Sequence, residues 1–162
     1  MKVLDAPLDT ISRAARPYPA WLLSGCDTGL CLFAAAFLGH NDAIHFARYE
    51  LQTTCVDRDA ERLEEMAHLY PPDWDFLADD SWEFAEAARE RGERWDGVSV
   101  DTFLGDATDR SLTTIDLWCS LADRFVTMTV PANTIPETPG GWRPTIFVRS
   151  TQASWLMLER WL

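Results

Sequence analysis

The run from residue 30 to residue 57 constrains this chain more than any other. Leu30 to Leu38 (LCLFAAAFL) is apolar without interruption, the pattern of a strand buried on both faces. Gly39-His40-Asn41-Asp42 then supplies a turn. Residues 43–51 read as a short helix, residues 53–56 as a second strand, and Asp57 ends it. Strand, glycine turn, helix, strand and acid form the unit that a nucleotide-like ligand requires. The glycine lets backbone approach the ligand, and the carboxylate accepts hydrogen bonds from ribose hydroxyls. The spacing is 57 − 39 = 18 residues. A second glycine string, SGCDTG at 24–29, lies 57 − 25 = 32 residues from the acid, and the apolar strand follows it. It does not fit the unit.

The alternation continues. Strands are expected over 74–78, 95–101 and 124–130, with helices over 59–69, 81–92 and 109–123. Pro71-Pro72 stop the first of these helices, and Ser81 suits the N-cap of the second. Repeated strand-helix-strand units predict parallel strands covered by helices on both faces, and right-handed crossovers make the sheet doubly wound. A leading helix is expected within 8–24, interrupted by Pro17 and Pro19.

The last thirty residues depart from this pattern. Residues 131–144 are rich in Pro and Gly and read as a loop. Strands over 145–149 and 154–162 follow, joined by a short turn. The final strand is apolar on both faces, with Trp155, Met157 and Trp161 on one and Leu156, Leu158 and Leu162 on the other. A two-sided apolar strand belongs inside a sheet. The expectation is a seven-stranded, mostly parallel α/β sheet whose C-terminal strand runs antiparallel between strands 124–130 and 145–149.

The chain has a net charge of −12, from 14 Lys and Arg against 26 Asp and Glu. Such a surface repels a phosphate backbone, which argues against nucleic acid and for a small-molecule or protein partner. Arg89, Arg91 and Arg94 interleave with Glu86, Glu90 and Glu93, the pattern of a solvated helix face. No apolar run reaches membrane-spanning length, and residues 1–10 lack the layout of a signal peptide. Cys26, Cys31, Cys55 and Cys119 form no CxxC pair. Three lie in apolar runs and read as buried thiols, so no metal site and a cytoplasmic location are expected. The short chain and its composition also suit a viral protein, which would be associated with the virion. No GxSxG, GxxxxGK[ST] or Cys-His arrangement is present.

The order of elements, closing in a hairpin whose last strand enters the sheet, resembles the class I S-adenosylmethionine-dependent methyltransferases. Three sites carry the resemblance: FLGHNDA at 37–43, TTCVD at 53–57 and LADDSWEF at 77–84. It implies one domain, with an N-terminal helical segment over 1–29 and a Rossmann-like core over 30–162. It also implies that Gly39 and Asn41 form the cofactor turn, that Asp57 holds the ribose, and that Asp80 contacts the adenine with Trp82 stacked beside it. Asp101, at the end of strand 95–101, then orients or deprotonates the acceptor, while His40 and Phe103 touch it. The cofactor implied is S-adenosylmethionine.

The chain departs from the family pattern at three places. Phe37 stands where the family has an acid, and Asn41 and Ala43 stand at the second and third glycine positions. Asp101-Thr102-Phe103-Leu104 replaces the two prolines and aromatic of the amino-methylating enzymes, which argues against methylation of nucleic-acid bases. The alternative is a methyltransferase-fold module without catalysis, acting through protein contacts. In that case Phe37 and His40 should plug the cleft. The edge of strand 145–149 and Trp142, in the Pro/Gly loop, should then meet a partner or a second copy.

Overall fold

The computed structural model describes residues 2–4, 18–19, 22, 29–40, 46–47, 50–102, 106–132, 134, 136–148 and 152–161. Eight strands form one sheet: β1 (Lys2–Leu4), β2 (Cys31–Ala35), β3 (Gln52–Asp57), β4 (Asp75–Ala78), β5 (Trp95–Val100), β6 (Ala122–Pro131), β7 (Trp142–Val148) and β8 (Ala153–Arg160). Their order is β1-β7-β8-β6-β5-β2-β3-β4. The helices are α1 (Ala60–Ala67), α2 (Ser81–Glu90), α3 (Asp106–Thr113) and α4 (Ile115–Leu121). The seven expected strands are all present. The added eighth, β1, pairs parallel with β7 and covers the edge expected to be open.

Among the described strands only β8 runs antiparallel, and it sits between β6 and β7 as its two-sided apolar pattern requires. Residues Ala153 to Leu158 are all buried. Trp161 lies beyond the strand and is 64% exposed, so it does not extend the buried face. Arg143 stacks over its ring at 4.2 Å.

Alternation along the strands divides the core into two. On β2, Phe33 and Ala35 face one apolar cluster with Val98, Trp118 and Leu156. Leu32 and Ala34 face the other, with Phe37, Phe46, Leu63 and Trp74. This is why residues 30–38 read as unbroken apolar sequence. At Gly97 an added Cβ would stand 2.2 Å from the Phe125 ring, so this aromatic packs flat on the glycine of β5.

The helix ends have identifiable causes. Asp59 caps α1 by accepting from the Arg62 N–H at 3.1 Å. Asp80, one residue before the expected Ser81, caps α2 by accepting from the N–H groups of Trp82 and Glu83. Gly92, at φ +74°, ends that helix in the left-handed conformation. The single helix expected over 109–123 is broken at Thr114, and β6 already begins at Ala122. The hydroxyls of Thr113 and Thr114 both donate to the Arg110 carbonyl, so side chains compete with the helical ladder at the break. Of helix 43–51 four residues are described: Phe46 and Ala47 are helical, while Glu50 turns at φ 55° and Leu51 lies outside any helix. The helix expected within 8–24 lies outside the described residues except at Tyr18, Pro19 and Leu22.

Cys55 and Cys119 are buried free thiols, and Cys31 is half-buried. Burial, with Asp116 adding to it, pushes the Cys119 thiol up to about 12. Burial, aided by Asp75, pushes Cys55 up as well. Above about pH 9 the unfolded chain releases thiol protons that the folded chain keeps. Stability should therefore fall as pH rises beyond that point, by about 1.4 kcal/mol per buried thiol and pH unit. Urea midpoints at pH 8 and pH 10 measure this. Equal midpoints would show that these thiols are not sealed in the core.

Candidate functional site

The strand order turns back at β2, which has β3 on one side and β5 on the other. Loops leaving such a pair diverge and open a crevice at the carboxyl ends of the strands. A cavity of about 480 Å³ lies there. It is lined from β2 by Ala36, Leu38 and Gly39, from β3 by Asp57, and from the strand 4 loop by Asp80, Ser81 and Trp82. Asp101 and Thr102 line it from β5, and Arg58, Arg62 and Arg110 stand around it. Three acids distant in sequence thus meet in one crevice, and the volume suits a nucleoside-sized ligand.

The turn after β2 has its own logic. Ala36 adopts φ 51° and ψ 50°, a left-handed conformation that costs a residue with a Cβ about 1–2 kcal/mol. The Ser81 hydroxyl accepts from the Ala36 N–H at 2.8 Å and donates to the Val56 carbonyl at 3.1 Å. One buried hydroxyl thereby ties the turn, β3 and the start of α2 together. Strain of this kind persists where surrounding contacts over-determine it.

Gly39 approaches the other wall. A Cβ there would stand 2.3 Å from the Asp101 carbonyl oxygen, a main-chain atom that cannot rotate away. The glycine is required for the turn and β5 to meet, besides lining the cavity. Gly39→Ala is expected to cost about 1–3 kcal/mol, a melting point lower by roughly 2–12 °C. A thermal melt checks this, and an unchanged melting point would show that the turn yields freely.

Asp57 reaches back to the turn: its Oδ2 accepts from the Leu38 N–H and its Oδ1 from the Asp59 N–H, both at 3.1 Å. Asp80 spends Oδ1 on the α2 cap, and its Oδ2 lies 3.8 Å from Arg110. Trp82 donates from Nε1 to the Thr114 hydroxyl at 3.1 Å, and the Arg110 guanidinium stacks 4.5 Å from its ring centre. Asp101 accepts from the Thr129 hydroxyl at 2.8 Å. No group of three or more His, Cys, Asp or Glu that could hold a metal occurs among the described residues.

Three expectations change. His40 does not line the cavity; its ring is buried behind Asp101 and flanked by Phe37 and Phe46. It is drawn inward by those rings and by the Ala35 carbonyl, 3.2 Å from its Nε2. Phe37 packs against Tyr70 and Phe76 in the second core cluster, so neither side chain plugs the crevice. Trp142 is 8% exposed beneath Arg160, whose guanidinium lies 4.5 Å from the ring centre, so it does not present an open face. Asn41 and Phe103 lie outside the described residues. Ser81, read in the sequence as a helix cap, lines the site as well, and Arg110 joins it without a sequence signal beyond its charge.

The same architecture recurs in known structures. A magnesium protoporphyrin IX methyltransferase from Synechocystis, solved with bound S-adenosylmethionine, matches 94% of this chain and 77% of its own, at 17% identity and TM-score 0.60. A putative methyltransferase of Escherichia coli matches 92% of this chain and 89% of its own, at 15% identity and TM-score 0.64. A putative methylase of Haemophilus influenzae matches 88% and 92%, at 13% identity and TM-score 0.65. This chain has the class I methyltransferase fold. No protein-family model matches it, and no curated protein sequence matches it significantly. In this fold the crevice beside the β2 turn is where a ligand is expected, and it coincides with the acid-lined cavity. No described helix is long and apolar enough to cross a membrane.

Proposed function

We propose that the chain binds S-adenosylmethionine in this cavity and transfers its methyl group to an acceptor. The observation that carries the reading is the convergence of Asp57, Asp80 and Asp101 on one open cavity at the switch point of a methyltransferase fold. In this reading Asp57 accepts from the ribose hydroxyls, since a carboxylate has about four acceptor positions and main-chain donors occupy two of them. Asp80 and Trp82 hold the adenine, and the turn through Gly39 and Asn41 approaches the rest of the donor. Asp101 faces the acceptor, with Phe103 beside it. The bound donor supplies an electrophilic methyl group; the protein positions both partners and excludes water. The acceptor is a small molecule or a protein, because a surface at −12 disfavours nucleic acid.

One observation favours a second reading, a non-catalytic module. Each of the four acids lining the cavity already has a structural partner: Asp57 the turn, Asp59 the α1 cap, Asp80 the α2 cap, Asp101 Thr129. Such a module would act through protein contacts at the outer edge of the sheet, beyond β1. Calorimetry with S-adenosylmethionine and S-adenosylhomocysteine separates the two. The enzyme reading expects a Kd in the micromolar range for both. No heat at millimolar ligand would remove it.

A further inference from the structure

His40 is a buried imidazole with a fixed orientation and no place in the reading above. Its Nε2 lies 3.2 Å from the Ala35 carbonyl, which can only accept, so Nε2 carries a proton. In the neutral ring the lone pair is then on Nδ1. That atom lies 3.9 Å from Asp101 Oδ2. The His40 side chain is fully shielded from solvent, whereas Asp101 keeps 14% of its side chain exposed toward the cavity. The other carboxylate oxygen, Oδ1, is held by the Thr129 hydroxyl at 2.8 Å. Asp101 is thus clamped on one oxygen and faces, through the other, a ring nitrogen that can accept a proton.

We propose that His40 is a positioning residue that stores the proton Asp101 removes from a protic acceptor, one whose reacting atom is an N–H or O–H. The inference rests on the methyl-transfer reading of the cavity. As the acceptor heteroatom bonds to the methyl carbon, the electron pair of the broken carbon–sulfur bond stays on sulfur. The displaced proton passes to Asp101 Oδ2. The O–H bond then breaks as Nδ1–H forms, once the 3.9 Å gap closes to about 3 Å, leaving carboxylate beside imidazolium. Asp101 is regenerated as a base, and the stored charge is paired. The rings of Phe37 and Phe46 flank the imidazole, so the proton stays out of contact with water until the pair reopens.

Long-range ¹H–¹⁵N correlation of the full chain, labelled at histidine, tests this, with His40 assigned by its absence in His40→Gln. The expected spectrum at neutral pH has the His40 proton on Nε2 and a bare Nδ1. The isosteric Asp101→Asn should move the Nδ1 resonance at the same pH, since that nitrogen faces Oδ2. A neutral ring protonated on Nδ1 in the wild-type chain would overturn the proposal without any variant. An Nδ1 resonance that Asp101→Asn leaves unmoved would overturn it too. The readout needs no methyl donor, so silence toward S-adenosylmethionine in calorimetry would remove the methyl-transfer reading while leaving the His40–Asp101 signature to stand or fall alone.

Discussion

A chain cut after Ser150 is expected to be unfolded. The cut removes β8, which pairs with β6 through seven residues and with β7 through seven. Both neighbours would then present open edges in the middle of the sheet. Trp155, Leu156, Met157 and Leu158 are buried, and each contributes roughly 1.5–3 kcal/mol by burial. Together that is about 6–12 kcal/mol, comparable to the whole net stability of a domain, about 5–15 kcal/mol. Scattering should report a radius of gyration of about 40 Å, against about 15 Å for the folded chain, by the usual size scaling. A compact truncated chain with a cooperative melt would mean that β6 and β7 can close without β8.

That strand was legible in the sequence because its pattern has one physical solution. Apolar residues on both faces need cover on both faces, and only an interior position gives it. The same logic made β2, β3, β5 and β6 readable, and strand ends in a parallel sheet place Asp57, Asp80 and Asp101 on one edge. What stayed hidden depends on contacts between distant residues. The break at Thr114 turns on two hydroxyls reaching one carbonyl, which helical periodicity does not encode. Ser81 reads as a cap, yet Asp80 caps the helix and Ser81 bridges the turn to β3. Gly39 reads as room for a ligand, and it also makes room for the Asp101 carbonyl. His40 reads as a turn residue that touches the acceptor, while two aromatic rings and a carbonyl bury it. β1 is three residues long, too short for any periodic signal.

Asp57 is where the structural and the ligand roles meet, and two substitutions separate them. Asp57→Ala should weaken S-adenosylmethionine binding by at least about 100-fold, because two charge-assisted hydrogen bonds to the ribose are worth roughly 1.5–3 kcal/mol each. It should also lower the melting point, since the half-buried Leu38 N–H loses its acceptor, at a cost of about 1–3 kcal/mol. The Asp59 N–H is exposed and water can replace its partner, so it adds little. Asp57→Asn keeps the size and one carbonyl oxygen but loses the charge. It should melt near the wild type if the amide oxygen takes over the Leu38 bond, while affinity still falls about tenfold. Calorimetry and thermal melts on the same two proteins decide the matter. Loss of affinity in both, with stability lost mainly in the alanine variant, is the result expected of an acid that holds a ligand and a turn together. Affinity unchanged in both, with the melting point lowered, would make Asp57 a clasp for the β2 turn alone. The cavity would then have to take its ligand without it.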